Sequence, residues 1–323
     1  MARFMLTSQA RDAVGLLALA VVLLVVDLTI TGHFHRNLAL QAIIFAIAAV
    51  GLTLLLGFAG QVSLGQNAFV AIGAYALGNM VQKVGLHPLP ALAVSTLLPA
   101  IVGYAVSRPI LRLSGHYLAL ATLALGASAY IFASQWTSVT GGLDPGIVDL
   151  PKLALVPGLE RDQLFTLAAL CLLAVMGFSL LLVHSPVGRA LQAICTSETV
   201  AAGAGIRVDR TKAAIFALAA AFAGLSGGLY ALFMRSFNAT SFSILLSIEL
   251  LMMVIVGSLS TIWGALVGAL LVVLLPHMLE HFEAAKLFIY GAIMTLVVMF
   301  MPNGLASTLF AGVNRLLRGD RAR

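Results

Sequence analysis

An all-α polytopic membrane protein is the fold class this sequence predicts, and three observations carry it. Of 323 residues, 61% are hydrophobic and only 9% are charged, with a mean hydropathy of +1.06. A soluble domain keeps roughly a quarter of its residues charged to hold its surface in water. The apolar residues gather into about ten runs, most of them long enough for a helix to cross a ~30 Å hydrocarbon layer. The charges fall largely between the runs.

The runs lie at 13–30, 37–57, 62–81, 88–107, 117–136, 163–183, 212–234, 245–258, 262–276 and 285–301. The first follows Arg3 and Arg11 as a signal peptide would. The next stretch, TGHFHRN, has no small-x-small cleavage pattern, so it reads as an uncleaved first helix. The eighth and ninth runs are short, and eight crossings with one or two re-entrant segments is the alternative to ten. Alternation from a cytoplasmic N-terminus puts twelve of the 18 basic residues inside and eight of the 12 acidic residues outside. That is the expected bias, and it places the C-terminus inside as well. The chain reads as one transmembrane domain over 1–323, with an outer loop at 137–162 and an inner loop at 184–212. Neither loop is large enough to be a catalytic domain.

Several function classes fall away. Cys171 lies in an apolar run and Cys195 in a polar loop, so neither a disulfide nor a metal site is expected. The pI near 9.7 comes from basic residues flanking membrane runs, which points to topology control rather than nucleic acid. A phosphate-binding loop needs Gly-Lys-Ser/Thr, and none of the four lysines follows a glycine. Any ATP must be hydrolysed by another chain. Ion-driven carriers use buried ionisable groups; here only Asp27 and Glu249 approach the apolar runs. Both sit near predicted outer ends, as solvated interfacial groups or as part of a pathway.

Three features remain. In the inner loop, Ser185 and Pro186 open a helix as N-cap and first residue. Val187, Leu191 and Ile194 form its apolar face, Arg189 and Glu198 flank it, and Gly203 and Gly205 can end it. Such a helix lies in the lipid interface or docks in a groove of a partner, and the residues leave both open. Ala220, Gly224 and Gly228, and likewise Gly264 and Gly268, recur at intervals of four. They form close-packing faces within the chain or against a partner. The third is GFAGQVSLGQNAFVAIGAYA (57–76). Gly57 and Gly60 break or bend the second helix, and Gln61, Ser63, Gln66 and Asn67 place neutral polar groups near membrane depth. Irregular backbone there must be buried in protein or line a wet cavity. These residues are expected to border a solute path, with Thr122, Ser243, Ser247 and Ser260 as further hydroxyls along it. A tight inner turn with ordinary polar capping is the plainer alternative.

Across GLTLLLGFAGQVSLGQNAFVAIGAYA (51–76), SGHYLALATLAL (114–125), TGG (140–142), GRALQAICTSETVAAGAGIRVDRTKAAIFALAAAFAGLSGGLYAL (188–232), SIELLMMVIVGSLSTIWGALVGALL (247–271) and YGAIMTLVVMFMPNGL (290–305), the chain resembles the LivM-type permeases of ABC importers for branched-chain amino acids. It departs from that pattern at His116, Leu143, Pro145, Cys195, Thr196, Ser197, Ser258 and Ser260. The resemblance implies a non-catalytic permease subunit in a bacterial inner membrane, without cofactor. Its implied partners are a second, LivH-like permease, two ATPase subunits and a periplasmic binding protein. It makes the helix carrying Val187, Leu191 and Ile194 the ATPase contact, and it admits urea, short amides or another small acid as cargo. A self-sufficient channel or carrier for a small neutral solute is the competing class. A membrane-embedded enzyme is a third, without a nucleophile–base or metal constellation to support it.

Overall fold

A computed structural model describes residues 2–29, 32–113, 115–151, 153, 163–279, 286–301 and 304–306. All regular elements among them are helical. In order they are α1 (Ala2–Thr29), α2 (His33–Thr53), α3 (Gln66–Gln82), α4 (Pro88–Ile110), α5 (His116–Gln135), the single turn α6 (Thr137–Thr140), α7 (Gln163–His184), α8 (Pro186–Thr196), α9 (Glu198–Gly203), α10 (Val208–Met234), α11 (Ile244–Gly257), α12 (Ile262–Met278) and α13 (Lys286–Phe300). A π-helical turn, Leu54–Phe58, extends α2, and a 3₁₀ turn, Ala239–Phe242, precedes α11.

Each apolar run falls on a helix, but the helices are not equivalent. By length and composition, α1, α2 with its extension, α4, α5, α7 and α10 are sufficient to cross a membrane. The other four are shorter: α3 and α12 have 17 residues, α13 has 15 and α11 has 14. The third run was expected to be helical from 62, yet α3 starts only at Gln66.

Helices α2 and α10 form the centre. Ile44, Ile47 and Leu52 on α2, and Leu54 and Leu55 on its π-helical extension, are wholly buried, and α10 packs along α2, α3 and α4. Small residues permit the approach, since lipid gives helices no hydrophobic reason to associate. A methyl on Gly224 would sit 2.3 Å from Pro99 Cγ and 2.4 Å from the Ser95 carbonyl oxygen. Pro99 has no N–H for that carbonyl, so glycine brings α10 over a backbone oxygen that α4 leaves free. Gly228 lies against Ser95 and Leu92, and Ala220 against Gly103. Gly264 and Gly268 bring α12 onto the backbone at Ser258 and Met253 in the same way. Both small-residue faces therefore pack within the chain.

Contacts between connecting segments sort into two ends. At one, Trp263 Nε1 donates to Asp12 Oδ1 at 3.3 Å, His184 Nε2 lies 3.5 Å from Asp12 Oδ2, and Gly57 abuts Leu259. At the other, Arg36 pairs with Asp27 at 2.7 Å, Asn79 Nδ2 donates to the Val139 carbonyl at 2.9 Å, and Ile147 bridges Phe237. Asp27 is thus paired and mostly buried, which goes against the solvated one of its two readings. Glu249 is likewise only partly exposed. Residues 152 and 154–162 of the expected outer loop, and the basic segment 307–323 expected inside, lie outside the described residues.

Candidate translocation and coupling site

The stretch between α2 and α3 is the most irregular backbone deep in the protein. The π-helical turn ends at Phe58, Gly60 takes φ +65°, and residues 60–65 have no helical structure. Gly57 abuts Leu259, just beyond the C-terminus of α11, whereas Asn67 meets Ser247 near its start. The non-helical chain therefore runs back beside α11 for roughly 15 Å, the rise of ten helical residues. Its far end lies beside the middle of α5. There Leu64 N–H donates to Thr122 Oγ1 at 3.0 Å, and Gly65 packs on the Thr122 carbonyl so closely that a methyl would come within 2.3 Å.

Asn67 ties three elements together. Its Nδ2 donates to the carbonyls of Gly126 (3.2 Å, on α5) and Phe242 (3.0 Å, ahead of α11). Its Oδ1 accepts from Ser247 Oγ at 2.8 Å, and its N–H donates to the same hydroxyl at 2.8 Å. The side chain has no exposure. The N-terminal turns of α3 and α11 thus meet inside the span, which places the positive ends of two helix dipoles close together.

Gln61, Ser63 and Gln66 behave differently. They are at most 2% exposed, yet Gln61 Nε2 and Oε1, Ser63 Oγ and Gln66 Oε1 find no hydrogen-bond partner among the described residues. They do not cap α3: Gly65 holds the N-cap position, with no side-chain bond. Unpartnered polar groups at such depth are costly, so ordinary turn capping does not explain this sequence. Thr122 Oγ1 accepts from Leu64 and donates to the Ala119 carbonyl. Ser243 precedes α11, and Ser260 sits apart at the other end, 2.9 Å from Ser258 Oγ.

The inner loop folds as two helices rather than one. Ser185 caps α8 as expected, accepting from the Val187 N–H at 3.1 Å. The helix then stops at Ser197, whose extended backbone and hydroxyl cap α9 by accepting from Val200 N–H. Gly203 is the last residue of the second helix and Gly205 lies just beyond it, so neither ends the first. Cys195 lies on α8 rather than in a loop, and its Sγ sits 3.2 Å from where a Gly60 Cβ would be. The expected apolar face divides: Leu191 and Ile194 are buried against the chain's own core, while Val187 is 47% exposed. Arg189 and Glu198 are exposed, and Glu198 pairs with Lys212, itself nearly buried. No single motif in the sequence announces the α8–Gly60 contact, because it joins segments 135 residues apart.

A further cleft, about 560 Å³, opens between α3, α4 and α5, lined by residues including Phe69, Ile72, Tyr75, Leu98, Leu125 and Phe132. Its lining is overwhelmingly apolar, and its residues are dispersed over α3, α4, α5 and α6, so the sequence gives no sign of it. Among the described residues, no group of His, Cys, Asp or Glu is placed to hold a metal ion.

Residues 34–298 match the family described as "Branched-chain amino acid transport system / permease component". The chain is 29% identical over 294 residues to the LivM permease protein of the high-affinity branched-chain amino acid transport system of Escherichia coli, covering 83% of this chain and 69% of that one. It is 28% identical over 295 residues to its counterpart in Salmonella typhimurium, with the same coverage. It is 26% identical over 301 residues to a probable branched-chain amino acid transport permease protein LivH of Methanocaldococcus jannaschii, covering 85% of this chain and 92% of that one. No solved structure matches the chain.

Proposed function

This chain belongs to the family of branched-chain amino acid transport permease components, a multi-pass membrane protein, and from that premise we propose that it is the permease subunit of an ATP-driven importer. In this reading one transmembrane domain, 1–323, lies in a bacterial inner membrane with both termini cytoplasmic, 137–162 outside and 184–212 inside. It carries branched-chain or similar small hydrophobic amino acids inward, and it hydrolyses nothing itself. It pairs with a LivH-like permease, two ATPase subunits bind its inner face, and a periplasmic binding protein delivers cargo.

The observation that carries the reading is the re-entrant stretch 59–65 and what it joins. One end rests on α8 at Cys195; the other ends where the N-termini of α3 and α11 converge. Movement of α8 by a docked ATPase therefore reaches the polar stretch directly. A zwitterion needs neutral donors and acceptors and a positive potential for its carboxylate. Gln61, Ser63 and Gln66 supply the former, unspent among the described residues, and the paired helix N-termini supply the latter. We place the path there, with Asn67, Thr122, Ser243 and Ser247 framing it, rather than along the apolar cleft, which offers a charged substrate too few polar contacts. Val187, with Arg189 beside it, is the exposed part of the docking surface, and Leu191 and Ile194 root that surface in the chain.

Two measurements test this. Co-purification from the native operon should recover two ATPases and a sister permease; recovery of the chain alone in transport-competent form would favour a self-sufficient carrier. Cysteines at 61, 63 and 66, in a chain with Cys171 and Cys195 replaced, should react with small water-soluble thiol reagents to an extent that changes when ATP is trapped on the partners. Lack of reaction in every nucleotide state would remove the path from this stretch.

A further inference from the structure

A second polar feature lies away from the path, at the end where the expected inner loops gather. A pocket of about 350 Å³ opens between the C-terminal end of α4 and the first turn of α10. Arg108 lines it from the last turns of α4, Arg112 from the turn that follows α4, and Arg210 from α10, with Tyr104 and Asp209 also in the lining. Arg108 stacks over the Tyr104 ring, 5.2 Å from its centroid, and donates to the Tyr104 hydroxyl at 3.4 Å. No ion pair within 4 Å joins any of the three guanidiniums to a described carboxylate, Asp209 included. Three positive charges thus face one negative charge across a small concavity.

The surface leading to the pocket says what fills it. Leu97 and Ile101 are 61% and 66% exposed, and Tyr104 is 41% exposed. With Arg108 they recur at four, three and four residues along α4, so they share one outward face. In a membrane-spanning helix that face is an acyl-chain surface, and Tyr followed by Arg marks the level of the headgroups. From Leu97 to Arg108 the helix rises roughly 16 Å, about the thickness of one leaflet's hydrocarbon. Simple topology control needs only that arginines lie on the inner side; it does not require three from two separate segments to converge beyond an apolar stripe.

We propose that this pocket binds the phosphate of an anionic phospholipid, with an acyl chain along Leu97 and Ile101 and the headgroup among Arg108, Arg112 and Arg210. Bidentate guanidinium–phosphate bonds suit that chemistry better than ammonium groups would. The site does not depend on which solute the permease carries.

The full chain in detergent, offered equal amounts of phosphatidylglycerol and phosphatidylcholine, should retain the anionic lipid at least tenfold better by native mass spectrometry. Near a membrane surface each basic residue contributes about 1 kcal/mol, or about fivefold. Arg112→Gln with Arg210→Gln should therefore weaken phosphatidylglycerol binding about 25-fold, whereas the paired Lys variants should stay within a few-fold of wild type. Equal retention of both lipids, or unchanged binding by the double Gln variant, overturns the proposal. Displacement by glycerophosphoglycerol or inorganic phosphate at the lipid's own concentration would make this a free-phosphate site and overturn the lipid assignment. Loss of partner ATPases with lipid binding intact would assign the arginines to a protein contact instead.

Discussion

Replacing Asn67 with Leu keeps the branched shape, though with bulkier methyl groups, and removes three side-chain hydrogen bonds: two to the carbonyls of Gly126 and Phe242, and one from Ser247. Side-chain hydrogen bonds contribute about 1 kcal/mol each in soluble proteins and average about 0.6 kcal/mol between membrane helices. The expected loss is therefore about 2–3 kcal/mol. Ser247→Ala removes the hydroxyl that both donates to Asn67 Oδ1 and accepts from Asn67 N–H, and should cost about 1–2 kcal/mol. Because the two residues share a bond, the double variant should be less damaged than the sum by roughly 0.6–1.5 kcal/mol. Reversible denaturant unfolding in mixed micelles, run as a four-protein cycle, measures each term. Reconstituted transport by Asn67→Leu should fall in rate with little change in apparent affinity, since the binding protein sets selectivity in the proposed machine. A loss below about 0.5 kcal/mol, or additivity within ~0.3 kcal/mol, would mean that Asn67 does not join α3, α5 and α11 as described.

Two further perturbations separate packing from docking. Gly224→Leu should destabilise the chain by 3 kcal/mol or more on the order of magnitude of severe overpacking, because Pro99 and the Ser95 carbonyl already occupy the space; Gly203→Ala, with nothing within 4 Å, should be within ~1 kcal/mol of wild type by unfolding. Val187→Asp should abolish ATPase co-purification while leaving the melting temperature of the isolated chain unchanged. Leu191→Asp should instead damage the chain itself, since Leu191 is fully buried within it; a stable Leu191→Asp chain that merely loses its ATPases would show that α8 packs differently.

The sequence by itself determined the helices and most of their ends. Hydropathy and run length are local quantities, and so are the Ser185 cap, the Pro186 start and the small-residue spacing on α10; each can be read within a few turns of chain. It also located the polar break at 57–67, because glycines and amides inside an apolar stretch conflict with an unbroken helix. What it left undecided was which polar groups are spent. Asn67 looks no different in composition from Gln61 or Gln66, yet its bonds run to residues 59, 175 and 180 positions away, whereas both amide atoms of Gln61 and the Gln66 Oε1 find no partner among the described residues. The same holds on α8, where periodicity gives Val187, Leu191 and Ile194 one apolar face and only the approach of the rest of the chain buries two and leaves the third outside. Ser197 divides that loop into two helices because its hydroxyl caps α9, an option the spacing of Gly203 and Gly205 concealed. Local hydrogen bonding and hydrophobicity fix where helices form; partnering between distant segments decides which side chains remain available for a substrate or a partner, and that is a property of the packed chain alone.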